Sequence, residues 1–178
     1  MTEINEAKLI EQCLRGKKRS QRKLYDTFSR VIYAISFRYS KNEDDAKDLL
    51  QETFVKVFSN LHSYKGEGSF EGWVKRIAVN TAIRHYQKSS KLIDKHDIEV
   101  VQESSTEPTV LASISAREIT QLISQLPDGY RIVFNMYAIE GYSHKEIGEE
   151  LGITESSSRS QLTRARRILA DLLTGLNE

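Results

Sequence analysis

The sequence predicts an all-α protein: two small helical domains joined by an acidic flexible linker, the second domain containing a helix-turn-helix. Three observations predict this. Apolar residues recur at three- and four-residue spacing over most of the chain, and strand-like alternation is almost absent. Only two prolines and nine glycines interrupt the 178 residues. One stretch, 91–114, lacks helical periodicity and carries Ser104-Ser105-Thr106 and Pro108, as a linker does. The expected division is therefore 1–90, 91–114 and 115–178.

Composition narrows the function classes. With 39% hydrophobic and 29% charged residues the chain can bury a core and stay in solution. The N-terminus is polar and no apolar run approaches the ~18 residues of a membrane span, so neither a signal peptide nor membrane insertion is expected, and the expected location is the cytoplasm. A single cysteine, Cys13, fits a reducing compartment and a small core position. The net charge of +1 hides segregation. Residues 1–90 hold 17 Lys and Arg against 11 Asp and Glu, 91–114 hold 2 against 5, and 115–178 hold 7 against 9. Such segregation points to modules with different partners.

Taken in order, 5–15 form a short helix with Ala7, Ile10 and Leu14 inward, ended by Gly16. The basic run Lys17 to Lys23 joins it to a helix over about 20–39, striped by Leu24, Phe28, Val31, Ile32, Ile35 and Tyr39. The third helix, about 42–61, has the clearest period: Ala46, Leu49, Leu50, Thr53, Phe54, Val57, Phe58 and Leu61 form one continuous face. Asp44, Asp45, Asp48, Gln51 and Glu52 lie opposite. Compensation of the helix dipole accounts for Asp44 and Asp45. It accounts less well for Asp48 and Glu52, where a ridge that docks a basic partner is the alternative.

The loop 63–69 contains Gly66 and Gly68, but no strand precedes it and its spacing is not that of a dinucleotide site. Ser69 caps a fourth helix, about 70–88, whose inward stripe is Phe70, Trp73, Val74, Ile77, Ala78 and Thr81. Lys75, Arg76, Arg84, His85 and Lys88, with Asn80, occupy its other faces. Cations interleaved with Tyr64, Trp73 and Tyr86 suit single-stranded DNA, whose bases stack on aromatics while its backbone follows positive charge. A plain core role is the competing view for these aromatics; it is the expectation for Trp73 and stays open for Tyr64 and Tyr86.

Beyond the linker, Ala116, Ile119, Leu122, Ile123 and Leu126 pattern one helix. After Pro127-Asp128, Tyr130, Val133, Phe134 and Tyr137 pattern the next, ended by Gly141. Ser143 with Glu146 reads as a capping box opening a helix that Gly152 closes, and Gly148 leaves room for a neighbour. Thr154 caps the last helix, with Leu162, Ala165, Leu169 and Leu172 inward. From Ser156 to Ala170 there are four basic residues and no acidic ones. Ser156, Ser157, Arg159, Ser160, Gln161, Thr163, Arg164, Arg166 and Arg167 are the candidate residues for a major groove, polar side chains on base edges and arginines on phosphates. An ordinary helical hairpin with a solvated basic face is the competing view.

No catalytic constellation emerges. His62, His85, His96 and His144 have no ligand spacing with one another or with Cys13, and no Ser or Cys sits in a nucleophile motif. No metal and no cofactor is expected.

Three stretches together resemble the extracytoplasmic-function group of bacterial sigma factors. DDAKDLLQETFVKVF at 44–58 resembles the family's polymerase-docking helix. FEGWVKRIAVNTAIRHY at 70–86 resembles its element for recognising and melting the minus-10 promoter element. LPDGYRIVFNMYAIEGYSHKEIGEELGITESSSRSQLTRARRIL at 126–169 resembles its minus-35 reading domain. The resemblance implies that Asp48, Leu49, Gln51 and Glu52 face the clamp helices of the polymerase largest subunit, with the flap as a second contact. It implies that the loop 62–69 and Asn80, with Tyr64, Lys75, Arg76 and Arg84 around them, engage an unpaired strand and a flipped base. It also admits an anti-sigma protein as partner. Two positions depart from the pattern: Ser158 stands where an apolar inward residue is usual, and Gln161 replaces a frequent basic residue. The resemblance gives the linker a task as well. As a free coil its 24 residues span roughly 25–30 Å and fully extended about 80 Å, whereas DNA sites two turns apart are roughly 70 Å apart. The linker must be held straight, as threading through the polymerase would do. The expected function is therefore a transcription initiation factor without catalysis of its own; a stand-alone helix-turn-helix repressor or activator is the alternative.

Overall fold

The computed structural model describes residues 6–92 and 116–175, and every regular element among them is helical. The chain divides into two compact units, 1–82 and 83–178, with the division falling inside one long helix. The expected linker lies, but for positions 91 and 92, outside the described residues.

The first unit holds α1 (Glu6–Leu14), α2 (Lys18–Tyr39), α3 (Glu43–Asn60), a single 3-10 turn (Leu61–Ser63) and most of α4 (Phe70–Leu92). In α3 the predicted stripe is the buried one: Ala46, Leu49, Leu50, Thr53, Phe54 and Val57 are interior. Phe58 is half-buried, and Leu61 closes the face from the 3-10 turn. Each such aliphatic side chain contributes about 1.5–3 kcal/mol on burial. Asn42 is the cap, its Oδ1 accepting the Asp45 amide at 2.8 Å. Tyr25 packs on Phe54 (ring centroids 4.4 Å) and Phe28 meets Phe70 edge-on (5.5 Å), fixing α2 beside both α3 and the start of α4.

In α1 the buried residues are Leu9, Ile10 and Cys13, while Ala7 is exposed and Leu14 is 52% exposed. The expected stripe was thus rotated. Two and a half turns give too few repeats to fix the phase of a face, and the Cys13 thiol, which burial pushes up, takes the place assigned to Leu14.

The second unit holds α5 (Ala116–Ser124), α6 (Asp128–Phe134), a wide π turn (Asn135–Ile139), α7 (His144–Leu151) and α8 (Glu155–Gly175). Leu126, Tyr130 and Ala165 form a core cluster against which Phe134, Ile168 and Leu169 pack. Ile119, expected inward, is exposed on α5. Tyr137, also expected inward, is 37% exposed, and Met136 is buried in its stead. The cause is the π turn: the Glu140 amide reaches back five residues to the Asn135 carbonyl, and the extra residue shifts every later side chain around the axis. Arg131 is buried, donating to the Leu126 carbonyl at 2.8 Å and to Asp128 Oδ1 at 2.6 Å. It ties the end of α5 to the start of α6.

Candidate nucleic-acid and polymerase interface

On α3 the acidic residues divide by role. Asp45 belongs to the cap, its carboxylate accepting from Asn42 Nδ2, and Asp44 pairs with Lys47 at 3.1 Å. Asp48 and Gln51 are exposed one turn further on, and Glu52 beside them pairs with Lys56 at 2.7 Å. Leu49 is only 3% exposed, so it supports this ridge from beneath instead of lining it. Val55, 68% exposed, continues the ridge at the spacing of Asp48, Gln51 and Glu52. Sequence reading passed over Val55 because an apolar residue off the main stripe carries no pattern of its own.

The loop 64–69 is closed on itself. Gly66 and Gly68 both take positive φ, and the Tyr64 hydroxyl donates to the Gly68 carbonyl at 2.8 Å. The Tyr64 ring rests on Phe70 (5.0 Å) and Trp73 (5.6 Å), and Phe70 stacks with Trp73. Phe70 is fully buried, but Tyr64 and Trp73 are only half-buried, which leaves aromatic surface at the mouth of the loop. Ser69 caps α4, its Oγ accepting the Gly72 amide at 3.3 Å. Arg76, Asn80 and Arg84 recur every four residues on one exposed face of α4, and Lys75 beside them pairs with Glu71 at 2.6 Å. His85 and Lys88 are exposed as well, and Tyr86 is half-buried, its phenol pushed up by burial. This face has the composition for an anionic, base-bearing strand.

In the second unit the predicted capping box is complete. The Glu146 amide donates to Ser143 Oγ at 3.2 Å, and the Ser143 hydroxyl (2.7 Å) and then its amide (2.8 Å) donate to the Glu146 carboxylate, holding that carboxyl below its usual range. Gly152 takes φ 68° at the end of α7, and Thr154 Oγ1 accepts the Ser157 amide at 3.0 Å to start α8. A Cβ on Gly148 would lie 2.8 Å from the Ile153 carbonyl oxygen, so only glycine permits this tight turn.

Nine side chains of α8 were expected on the groove, and they do not share one face. Ser156, Arg159, Ser160, Thr163, Arg166 and Arg167 are exposed and form a continuous stripe. Arg159 pairs with Glu155 one turn back. Ser157 and Gln161 are half-buried, and Arg164 donates to the Tyr130 hydroxyl at 3.3 Å across to α6. Ser158, the departure noted in the sequence, is fully buried and hydrogen-bonds His144 Nδ1 at 2.9 Å. His144 stacks on Tyr137 (4.4 Å), and the Arg166 guanidinium lies 5.8 Å from the same ring. Burial, then the nearby Arg159, holds the His144 imidazole below its ordinary value.

Among the described residues no cluster of His, Cys, Asp or Glu is fit to hold a metal ion, and no helix is long and apolar enough to cross a membrane.

Comparison with known proteins gives the family. Sigma-70 region 2 matches residues 24–92, and Sigma-70, region 4 matches residues 116–169. The chain is 31% identical over 147 residues to the ECF RNA polymerase sigma factor SigE of Mycolicibacterium smegmatis, covering 80% of this chain and 57% of that protein. It is 26% identical over 188 residues to the RNA polymerase sigma-H factor of Pseudomonas aeruginosa, covering 99% and 97%. A solved structure of the sigma factor RpoE from Bartonella quintana, in complex with the anti-sigma factor NepR, is similar at 19% identity and a TM-score of 0.49, covering 86% of this chain and 96% of that one. With both regions present in order and relatives named as ECF sigma factors aligned over 80% and 98% of its length, the chain belongs to the extracytoplasmic-function group of the sigma-70 family.

Proposed function

We infer that this chain is a bacterial transcription initiation factor that binds core RNA polymerase, directs it to promoters and assists strand opening, with no catalytic step of its own. One observation carries the reading: a single chain holds, in order, an exposed acidic ridge, an aromatic-and-cation face beside a closed loop, and a helix-turn-helix. A duplex reader acting alone needs only the last of these. Asp48, Gln51 and Glu52 dock the polymerase clamp helices, with Leu49 setting their position from below. Tyr64, Lys75, Arg76, Asn80 and Arg84 engage the unpaired minus-10 strand. Extruding a base toward the loop suits the physics of reading a separated strand. Ser156, Arg159, Ser160, Thr163, Arg166 and Arg167 meet the minus-35 duplex, while Ser157, Gln161 and Arg164 orient the helix. The chain works in three parts, 1–90, 91–114 and 115–178, in the cytoplasm where polymerase and promoter meet.

Run-off transcription with purified core polymerase, with and without the chain, tests this directly. The expected result is a discrete promoter-dependent transcript only when the chain is present, with permanganate-reactive thymines in the same complex. Opening each base-pair step costs about 1.4 kcal/mol on average, so the chain alone is not expected to melt DNA. Tight sequence-specific duplex binding by the chain alone, with no polymerase-dependent opening, overturns this reading in favour of a repressor.

A further inference from the structure

The basic run at the start of α2 has no part in the assignments above, and the local chemistry does not explain it. Lys18 and Arg19 open α2, and Lys17 is its cap residue with no side-chain cap bond. A helix N-terminus carries partial positive charge and favours acids. Every other α-helix among the described residues has an acid in its first turn: Glu6, Glu43 with Asp44 and Asp45, Glu71, Glu118, Asp128, Glu146 and Glu155. Helix α2 alone has none and places cations there instead. Such a conflict between local preference and sequence is expected where function overrides stability.

Nor are these cations used inside the domain. Arg15 pairs with Glu11 and Arg22 with Asp26. Lys17, Lys18, Arg19 and Lys23 are exposed, and none has a carboxylate partner among the described residues. They stand on a stiff turn. Gly16 takes φ 73°, the Lys17 amide donates to the Gln12 carbonyl at 3.1 Å, and Ser20 Oγ donates to Gln12 Oε1 at 2.7 Å. The turn also has a definite place. Helix α1 packs against the 3-10 turn Leu61–Ser63, and the Tyr25–Phe54 and Phe28–Phe70 contacts set the first half of α2 beside the end of α3 and the start of α4. The cations and the Tyr64 loop therefore share one end of the domain.

We propose that Lys17, Lys18, Arg19 and Lys23 form a second anion-binding surface, which holds the phosphate backbone of the same unpaired DNA strand that the Tyr64 loop engages. The inference rests on the function proposed above and extends it. The loop supplies aromatic surface for bases, and the turn supplies charge for the backbone as the strand leaves the loop.

The test uses polymerase holoenzyme assembled from core enzyme and full chain, bound to promoter DNA with a pre-opened minus-10 region. For K17Q/K18Q/R19Q/K23Q, affinity for core polymerase is expected to match wild type. Each lost single-strand contact should flatten the slope of log affinity against log salt by about 0.7, reaching about 3 for all four. A companion variant, K18E/R19E, removes the conflict with the helix end, so its thermal midpoint should rise while its affinity for the pre-opened DNA falls. An unchanged salt slope overturns the proposal. So does a loss of core-polymerase affinity that accounts for the weaker promoter complex, which would make the patch a protein-docking surface. Equal flattening on fully paired DNA, at about 0.9 per charge, would assign it to duplex instead and equally overturn it. If wild-type chain itself supports no run-off transcription, the function proposed above fails; if it does and the slopes agree, only this inference fails.

Discussion

Gly72 and Gly148 both lie inside α-helices, and the same substitution should move them in opposite directions. Helix propensity favours alanine over glycine by about 1 kcal/mol at either position. At Gly72, in the first turn of α4, a Cβ would meet only Ser69 Cβ at 3.8 Å, an ordinary contact. Gly72→Ala should therefore stabilise by about 0.5–1 kcal/mol. At Gly148 the new Cβ would lie 2.8 Å from the Ile153 carbonyl oxygen and 3.6 Å from the Glu155 amide nitrogen, both backbone. Neither can swing aside as a side chain does. Relief requires moving the turn whose Gly152 and Ile153 amides both donate to the Gly148 carbonyl, at 2.9 and 3.1 Å. That movement also pulls on the Thr154 cap, worth about 1 kcal/mol. Overpacking of this kind costs about 1–3 kcal/mol. Set against the propensity gain, Gly148→Ala should destabilise the second unit by about 1–2 kcal/mol, a fall of roughly 5–15 °C in its midpoint. Thermal unfolding followed by circular dichroism measures both variants. A Gly148→Ala protein as stable as wild type would show that the turn relaxes freely, and would remove the steric reason for glycine there.

Other substitutions separate the surfaces. Gln51→Ala with Glu52→Ala should weaken core-polymerase binding in a pull-down without lowering the thermal midpoint, because neither side chain is in the core; undiminished binding would discard the ridge. Arg166→Ala should flatten the salt dependence of promoter binding by about 0.9, whereas Arg164→Ala, which loses its bond to Tyr130, should leave the slope in place and lower stability instead; identical slopes for Arg166→Ala and wild type would refute the phosphate role. His144 is held below its ordinary value by burial and by Arg159, with Arg166 acting the same way and Glu155 opposing. Below the ordinary histidine range, near pH 6.5, the unfolded chain therefore binds the proton first, and the second unit should lose stability as pH falls through that range. A pH series of unfolding midpoints against His144→Asn checks this, and parallel curves would show that His144 does not contribute.

How much was legible in the sequence depended on how many independent signals met at each position. In α3 a four-turn stripe, an Asn cap and an acidic first turn agree, and the buried face matches the pattern through Val57. The helix-turn-helix was legible for a similar reason: Ser143, Gly148, Gly152 and Thr154 each answer a different steric or hydrogen-bonding demand. Periodicity failed where the helix itself departs from 3.6 residues per turn. Nothing in Asn135-Met136-Tyr137 announces a π turn, so Tyr137 was assigned the place that Met136 holds. Arg131 was invisible for another reason: a lone arginine reads as surface, and only the converging carbonyls of Ser124 and Leu126 with the Asp128 carboxylate make it interior. On α8, residue type marked a candidate DNA-facing helix but not which of its side chains lie off the exposed stripe. Gln161 and Arg164 have the right chemistry for a groove, yet their phase on the helix turns them from the exposed stripe.

The second unit's apparent irregularities are one arrangement. A serine at an inward position of the recognition helix is a liability on its own, since a buried hydroxyl without a partner costs about 1–3 kcal/mol. Here His144, the first residue of α7, supplies the partner at 2.9 Å and thereby fixes the distance between the two helices at the start of α8. The imidazole is in turn covered by Tyr137, which is available because the π turn rotated it out of the core. That same ring lies against the guanidinium of Arg166, one of the exposed arginines on the α8 stripe proposed to meet duplex DNA. A polar core position, a histidine and a displaced tyrosine thus lead, contact by contact, to Arg166, so the phosphate contact proposed for it would start from a side chain already oriented. Replacing Ser158 with a valine of the expected apolar kind would keep the packing but strand His144 Nδ1, and the loss should then appear in Arg166-dependent promoter affinity as well as in stability.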